Sequence, residues 1–428
     1  MNRRTFLGVG VLGAATLGSS CVQNPVTWRT GSGSVAEAFD REMELFMAAR
    51  TIPGGALAVV KNRRLVYARG YGWADGEKKI PATATSLFRI ASVSKPITAV
   101  AVLKLVEEDK LSLDARVFDI VQLPPVLENG REPDARLKQI TIRQLLQHTG
   151  GWDRNKSFDP MFRPRLIAEK TNTPPPAGAE AVIRYMLGQP LDFDPGTQYA
   201  YSNFCYCVLG RVIEHVSGLS YEKFVREQVL APIGIEHMQI GASLDGRQAK
   251  GEVRYYMAND SFGESVFPHT PGKVQRPYGG FHLEAMDAHG GWIASAVDLV
   301  RFAAALDNPE ESPLLKPESF RSMYAPPPKP VSRRSDGTLD LSWYGCGWSV
   351  RPVGNDRANY WHNGSLPGTA TLLVQRWDGF SWAALFNQRS EDKNLPDSAI
   401  DPALHRAAAA VKDWPKEDLF HRKSLSAE

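Results

Sequence analysis

The sequence is poor in cysteine and lacks every compact signature for holding a metal ion or a nucleotide. Among 428 residues there are four cysteines. Beyond Cys21 only Cys205, Cys207 and Cys346 remain, and three cannot all pair. Cys205 and Cys207 stand two apart in one helical stretch and point in different directions. No disulfide framework is implied, and they read as small buried apolar residues. There is no His-Glu-x-x-His, no His/Cys cluster at zinc spacing, no Gly-x-x-x-x-Gly-Lys loop and no Gly-x-Ser-x-Gly elbow. No cofactor and no metal are expected. Long runs of like charge are missing too: the net charge is +3, with only short pairs such as Arg333-Arg334. Capture of nucleic acid is therefore not expected, and a small-molecule or peptide-like partner fits better. What is present, 43% hydrophobic and 23% charged residues, describes an ordinary globular chain without internal repeats.

The opening stretch, MNRRTFLGVGVLGAATLGSSC, has twin arginines at Arg3 and Arg4, then Phe6-Leu7 and an apolar run too short to span a bilayer with margin. It reads as an export signal over 1–21 and resembles the twin-arginine type. Cys21, after Leu17-Gly18-Ser19-Ser20, approximates a lipoprotein cleavage box. The expectation is an exported protein, either periplasmic or tethered to the cell envelope through Cys21.

Ser34 with Glu37 reads as a capping box for a helix running to about Arg50, with Phe39, Met43 and Phe46 on its apolar face. GALAVVKNRRLVYARGYG reads as a hairpin turning between Lys61 and Arg64. A helical, loop-rich stretch follows from Ser92 to about Gly241, with Pro-rich surface loops such as TNTPPPAGA. From Trp343 the pattern turns to strands, WYGCGWSVRP, ANYWHNG, TATLLVQRW and SWAALFNQ, and closes on the helix DPALHRAAAAVKDW. Strands at both ends predict an α/β (α+β) chain: one antiparallel sheet of N- and C-terminal strands flanked by helices, with a mainly helical inserted subdomain. The expected division is a signal over 1–21, one domain over 34–390 with its helical insertion at about 92–240, and a C-terminal helix and tail over 391–428.

Ser-x-x-Lys occurs twice, at Ser92–Lys95 and Ser220–Lys223. On the order of one match is expected by chance in a chain this long. Ser220 is explained as a helix cap after the Gly218 stop, with Lys223 among solvated charges. Lys95 is different, because it opens a helix whose next ten residues, Ile97 to Val106, are apolar except Thr98 and Lys104. Such a helix is buried. Burial and the helix dipole both push that lysine toward its neutral form, as a general base requires. Three-residue spacing brings Ser92 and Lys95 onto one face, and Pro96 is tolerated in the first turn.

Tyr201-Ser202-Asn203 reads either as a helix start capped by Ser202 or Asn203, or as a tyrosine that near a lysine holds a phenolate to shuttle the serine proton, beside a substrate-positioning amide. His362-Asn363-Gly364 sits between strand-like segments, where Gly364 would let backbone approach a substrate. Two other His-x-Gly copies read as structural: His148 as a helix C-cap and His289 as a loop before ASAVDLVRFAAAL.

In this order the three elements resemble the serine β-lactamase-related family, which holds class C β-lactamases, D-alanyl-D-alanine carboxypeptidases, D-aminopeptidases and derived esterases. The likeness runs from about Ser34 to Gln388, supported by ITIRQLLQHTGG, LAPIGIEHM and HGGWIASAVDLVRF. It implies a β-lactamase/transpeptidase-like fold for the catalytic domain, with Ser92 as acylated nucleophile, Lys95 as proton acceptor and Tyr201 as relay to the leaving group and activator of the deacylating water. The resemblance leaves either Lys95 or Tyr201 as the kinetic base. It further implies an oxyanion hole at the backbone amides of Ser92 and Ser365, with Asn203, His362 and Gly364 at the substrate. Penicillin-acting members carry Lys-Thr-Gly at the third element, whereas here His362 replaces the lysine and is mostly neutral at pH 7 if unperturbed. An esterase or amidase is therefore expected ahead of a β-lactamase or carboxypeptidase. A transacylase and a peptidoglycan-binding module with little turnover are the alternatives. Trp361 is expected to wall the pocket, and Gly251 to Gly290 to cover it.

Overall fold

A computed structural model describes residues 33–127, 130–259, 261–329 and 341–421. The expected export signal with Cys21, and the Ser34 side chain with its capping box, lie outside the described residues. The first helix, Gly33–Arg50, ends where its pattern ends and buries Phe39, Met43 and Phe46.

The hairpin forms as β1 (Gly54–Lys61) and β2 (Arg64–Asp75). Its two-residue turn, Asn62-Arg63, has both φ angles positive, at 50° and 63°. That geometry matches the twist of paired strands. β3 (Ile80–Pro81) extends this edge. In the middle of the chain β4 (Phe88–Arg89), β5 (Gln239–Ile240) and β8 (Trp292–Ala294) form a small sheet ordered β4-β8-β5, and β6 (Phe262–Glu264) pairs with β7 (Lys273–Gln275). These pieces were not anticipated; two or three residues are too few to display a strand period.

The C-terminal strands are β9 (Trp343–Tyr344), β10 (Ser349–Gly354), β11 (Arg357–Leu366), β12 (Thr369–Gln375) and β13 (Phe380–Phe386). They join the hairpin in one eight-stranded antiparallel sheet, β3-β2-β1-β13-β12-β11-β10-β9. β1 lies against β13, with Gly55 opposite Phe386, so the two ends of the sequence meet at the sheet centre.

Alternation sorts the side chains between two cores. Leu57, Val59, Leu372, Trp382 and Phe386 face the Gly33–Arg50 helix and the closing helix Ile400–Ala410. Ala56, Ala58, Val60, Leu373, Ala383 and Leu385 face the larger core, which includes the helix Ala296–Ala305. Covered on both faces, β12 and β13 are buried throughout, and β13 is apolar except Ser381. Each fully buried Leu or Val contributes about 1.5–3 kcal/mol by leaving water. The site lies on the larger-core side, where β11 and β12 meet the turn that carries Ser92.

Candidate active site

Ser92 sits in a single 3₁₀ turn, Ala91–Val93, that runs into the helix Ser94–Glu107. The residue before it, Ala91, has φ +48°, a conformation non-glycine residues rarely adopt. Its neighbours hold it there. Thr371 Oγ1 donates to the Ile90 carbonyl at 2.9 Å, Thr369 Oγ1 to the Arg89 carbonyl at 3.0 Å, and the Ile90 amide to the Trp292 carbonyl at 2.9 Å. The buried Arg89 guanidinium donates to the carbonyls of Pro277 and Ala242, with Tyr255, Tyr278 and Phe281 packed round it. The aromatics of the 251–290 segment thus brace the chain leading into Ser92. Ser92 does not cap the helix: the N-cap is Val93, without a side-chain bond. Its hydroxyl instead stays partly exposed, 3.1 Å from Lys95 Nζ.

Lys95 is fully buried, as its apolar helix demands. Its amine also lies 2.9 Å from Asn203 Oδ1 and 2.9 Å from the His289 carbonyl. Burial pushes the Lys95 pKa well below its ordinary value; the Asp159 charge opposes this and Arg154 reinforces it. A neutral amine has two hydrogens and one lone pair. Two of its three neighbours are oxygens that only accept, so in the neutral form both hydrogens go to them and the lone pair is the part left for Ser92, whereas a charged amine donates to all three. Asn203 is fixed in turn, its Nδ2 donating to Asp159 Oδ2 at 2.6 Å. Both ends of that amide are engaged, and the group orients the lysine.

Tyr201 ends the approach to the helix Asn203–Ser217, which Ser202 caps by accepting from the Cys205 amide and which Gly218 closes at φ +73°. Ser202 is thus the cap, and its neighbours Tyr201 and Asn203 both lie close to Lys95. The Tyr201 ring lies 4.7 Å from Lys95 Nζ. Burial raises the Tyr201 pKa, and hydrogen bonding with Ser92 tempers the rise. The resting group is a neutral phenol, not the phenolate its closeness to a lysine suggests.

His362 lies on β11 with its ring buried. Nδ1 is 2.7 Å from the Asn363 carbonyl, which can only accept, so Nδ1 carries the hydrogen. Nε2 is then bare and accepts from the Tyr344 hydroxyl at 2.8 Å. Burial and the nearby Lys95 hold its pKa down at about 3. Gly364 has a definite reason: a Cβ there would stand 2.3 Å from the Ile90 carbonyl oxygen. Because sides alternate along β11, Trp361, Asn363 and Ser365 turn their side chains away from His362. Trp361 packs beside the second core under Arg351, which corrects the expectation that it walls the pocket. Ser365 and Asn363 line a small cavity of about 100 Å³ with Phe386 and Ile400 on that far face. Only their backbone can serve the Ser92 side, and there β11 has no strand on its outer edge, since β10 pairs no further than Trp361.

A family model described as Beta-lactamase matches residues 39–406. The chain belongs to the Beta-lactamase family. A probable fimbrial assembly protein FimD, serogroup H1, from Dichelobacter nodosus is 31% identical over 313 residues, covering 70% of this chain and 66% of that protein. The chain spans less than two thirds of the length of the first curated relatives it matches. An octameric penicillin-binding protein homologue from Pyrococcus abyssi superposes with TM-score 0.66 at 23% identity, over 91% of this chain and 80% of that one. A D-amino acid amidase from Ochrobactrum anthropi does so with TM-score 0.65 at 20% identity, over 88% and 98%. At such identities these likenesses establish the fold.

Several residues of this Beta-lactamase-family site were missed or set aside in sequence. Asp159 lies 44 residues from the Asn203 it holds, with no local pattern to link them. The C-cap of the helix Ile142–Leu146 is Gln147, and His148 follows it with φ +56°; its ring lies 4.3 Å from that of Tyr201, tilted by 45°, and accepts from the Ser202 amide. His289 contributes its carbonyl, which no side-chain motif reports. Tyr344 was read only as part of a strand.

Proposed function

We propose that the chain is a serine hydrolase that cleaves a carboxylic ester or amide through an acyl-enzyme on Ser92. The arrangement at Lys95 carries this reading: an amine at 3.1 Å from Ser92, buried, with its hydrogens committed to Asn203 Oδ1 and the His289 carbonyl. Ser92 Oγ attacks the carbonyl carbon while its proton passes to the lone pair of Lys95. The developing oxyanion lies at the amides of Ser92 and Ser365. Tyr201, a neutral phenol, delivers a proton to the departing alkoxide or amine and recovers one from Lys95 as the C–O or C–N bond breaks. Water then gives up a proton through the same pair as it attacks the acyl carbon, which releases the acid and restores Ser92. The opposed shifts of Lys95 and Tyr201 support the lysine as base and the phenol as relay.

His362 supports ester or amide cleavage over β-lactam hydrolysis, since a histidine held neutral offers no cation on β11 for a substrate carboxylate. The name of the Ochrobactrum anthropi neighbour, a D-amino acid amidase, agrees with this class. A fluorophosphonate probe should label the intact protein once, on the peptide carrying Ser92. Labelling elsewhere, or none together with no turnover of p-nitrophenyl esters, D-amino-acid anilides or a cephalosporin, refutes the reading. The pattern at Arg3, Arg4, Phe6 and Leu7 supports export; replacing both arginines by lysine should leave the protein in the cytoplasmic fraction.

A further inference from the structure

The loop between Gly151 and Asp159 brings a charge to the site that the proposed chemistry does not use. Arg154 is exposed, and its guanidinium carbon stands 4.7 Å from the centre of the Tyr201 ring. Its field is felt at Lys95, His148 and Asp159. Among the described residues it has no carboxylate partner. The acids around it are engaged by other donors: Asp153 by the Asn155 amide, Asp192 by the Asp153 amide and Ser157 Oγ, and Asp159 by Asn203 Nδ2 and the Met161 amide.

An exposed arginine is usually just a solvated charge. Two observations separate this one. Its guanidinium carbon lies over the ring of Tyr201, which hydrogen-bonds with Ser92, while the side chain remains exposed to solvent. The other basic groups at the site, Lys95 and His362, are buried and occupied by protein partners.

We propose that Arg154 is the recognition group of the site, selecting esters or amides whose acyl chain ends in a carboxylate. A guanidinium presents a fork of donors matched to the two oxygens of a carboxylate, and the contact with Tyr201 places that fork close to Ser92. The proposal rests on the serine hydrolase reading and narrows its substrate class.

The test compares two esters of similar length on the full chain, p-nitrophenyl hydrogen glutarate with its free carboxylate and neutral p-nitrophenyl butyrate. Arg154→Ala should lower the ratio of kcat/KM values, anionic over neutral, by roughly tenfold, mainly through KM. Arg154→Lys should retain part of the preference, Arg154→Glu should push it lower, and added salt should reduce the wild-type ratio. The neutral ester corrects for any effect of the lost charge on Lys95, which bears on both substrates alike. An unchanged ratio in Arg154→Ala overturns the proposal, as does an equal loss with both esters. Should neither ester turn over, the affinities of 3-carboxyphenylboronic and phenylboronic acid are compared, and equal affinities overturn it. Failure of the underlying reading looks different: hydrolysis of the neutral ester would persist in Ser92→Ala.

Discussion

The chain contains the same four-residue spacing twice, and the two copies do opposite things. At Ser220–Lys223 the serine hydroxyl accepts from the Lys223 amide and starts a helix, while the lysine points to solvent beside Glu227. At Ser92–Lys95 the serine caps nothing and the lysine is wholly buried. Ser-x-x-Lys therefore names a spacing, and burial decides whether it becomes chemistry. A lysine with 57% of its side chain exposed keeps its hydration. One with no exposure, held by acceptor-only neighbours, has a lone pair to offer the serine.

The largest expected difference between the copies is in the serines. Ser92→Ala should lower turnover of an activated ester by roughly 10⁴–10⁶, as loss of a nucleophile does, whereas Ser220→Ala should leave it unchanged. Comparable losses in both would erase the distinction. The lysines come next. Lys95→Ala should slow acylation by roughly 10²–10⁴, and Lys223→Ala should have no effect. The sign of the pH dependence follows from the lowered Lys95 pKa. Above that value the amine is neutral and active. As pH falls through it the amine binds a proton, the lone pair is lost, and acylation falls about tenfold per pH unit. A pre-steady-state burst measured across pH checks this, and a rate that rises on acidification would contradict the assignment of Lys95 as base.

The burial that separates the two copies was legible in sequence, because Ile97 to Val106 left Lys95 no polar face to emerge on. So were the hairpin, the strands from Trp343 onward and the joining of both ends in one sheet, each marked by a period or a turn. What was not legible came from contacts across the chain. Asp159 orients Asn203, and the His289 carbonyl holds Lys95, yet neither has a local signature. Trp361 was misplaced for a different reason: with His362 turned toward Ser92, the strand period sends its neighbour to the other core, and adjacency in sequence was taken for adjacency at the site. The pieces β4, β5 and β8 owe their existence to pairing partners more than 50 residues apart in the case of β5 and β8.

The scaffold around the buried copy should also be less forgiving. Gly364→Ala places a methyl 2.3 Å from the Ile90 carbonyl oxygen and 2.3 Å from Thr371 Oγ1, both fixed parts of the clamp behind Ser92. Relieving that overlap moves β11 away from the nucleophile. The expected cost is about 1–3 kcal/mol in denaturant unfolding, as for overpacked cores, accompanied by a fall in kcat. Full stability with full activity would show that β11 and the Ser92 turn are not in the contact described.

The smallest effect belongs to the exposed copy and tests what it does contribute. Ser220 caps a helix whose first residue, Tyr221, is buried with its hydroxyl 2.6 Å from Thr98 Oγ1 and 2.9 Å from Trp292 Nε1. Thr98 stands one turn after Lys95, and its Oγ1 also donates to the Ala288 carbonyl, next to the His289 carbonyl that holds the lysine. Ser220→Ala removes the cap but leaves a second support for the same turn, since Glu214 Oε1 accepts from the Tyr221 amide at 2.9 Å. Stability should fall by about 1 kcal/mol, the usual value of a cap, while kcat/KM and the acid limb of its pH profile stay in place. Thr98→Val, which cuts the link from Tyr221 to the active helix, should in contrast shift that limb. If Ser220→Ala moves the limb as well, the two copies are coupled through Tyr221, and the second serine works as a distant support of the first lysine.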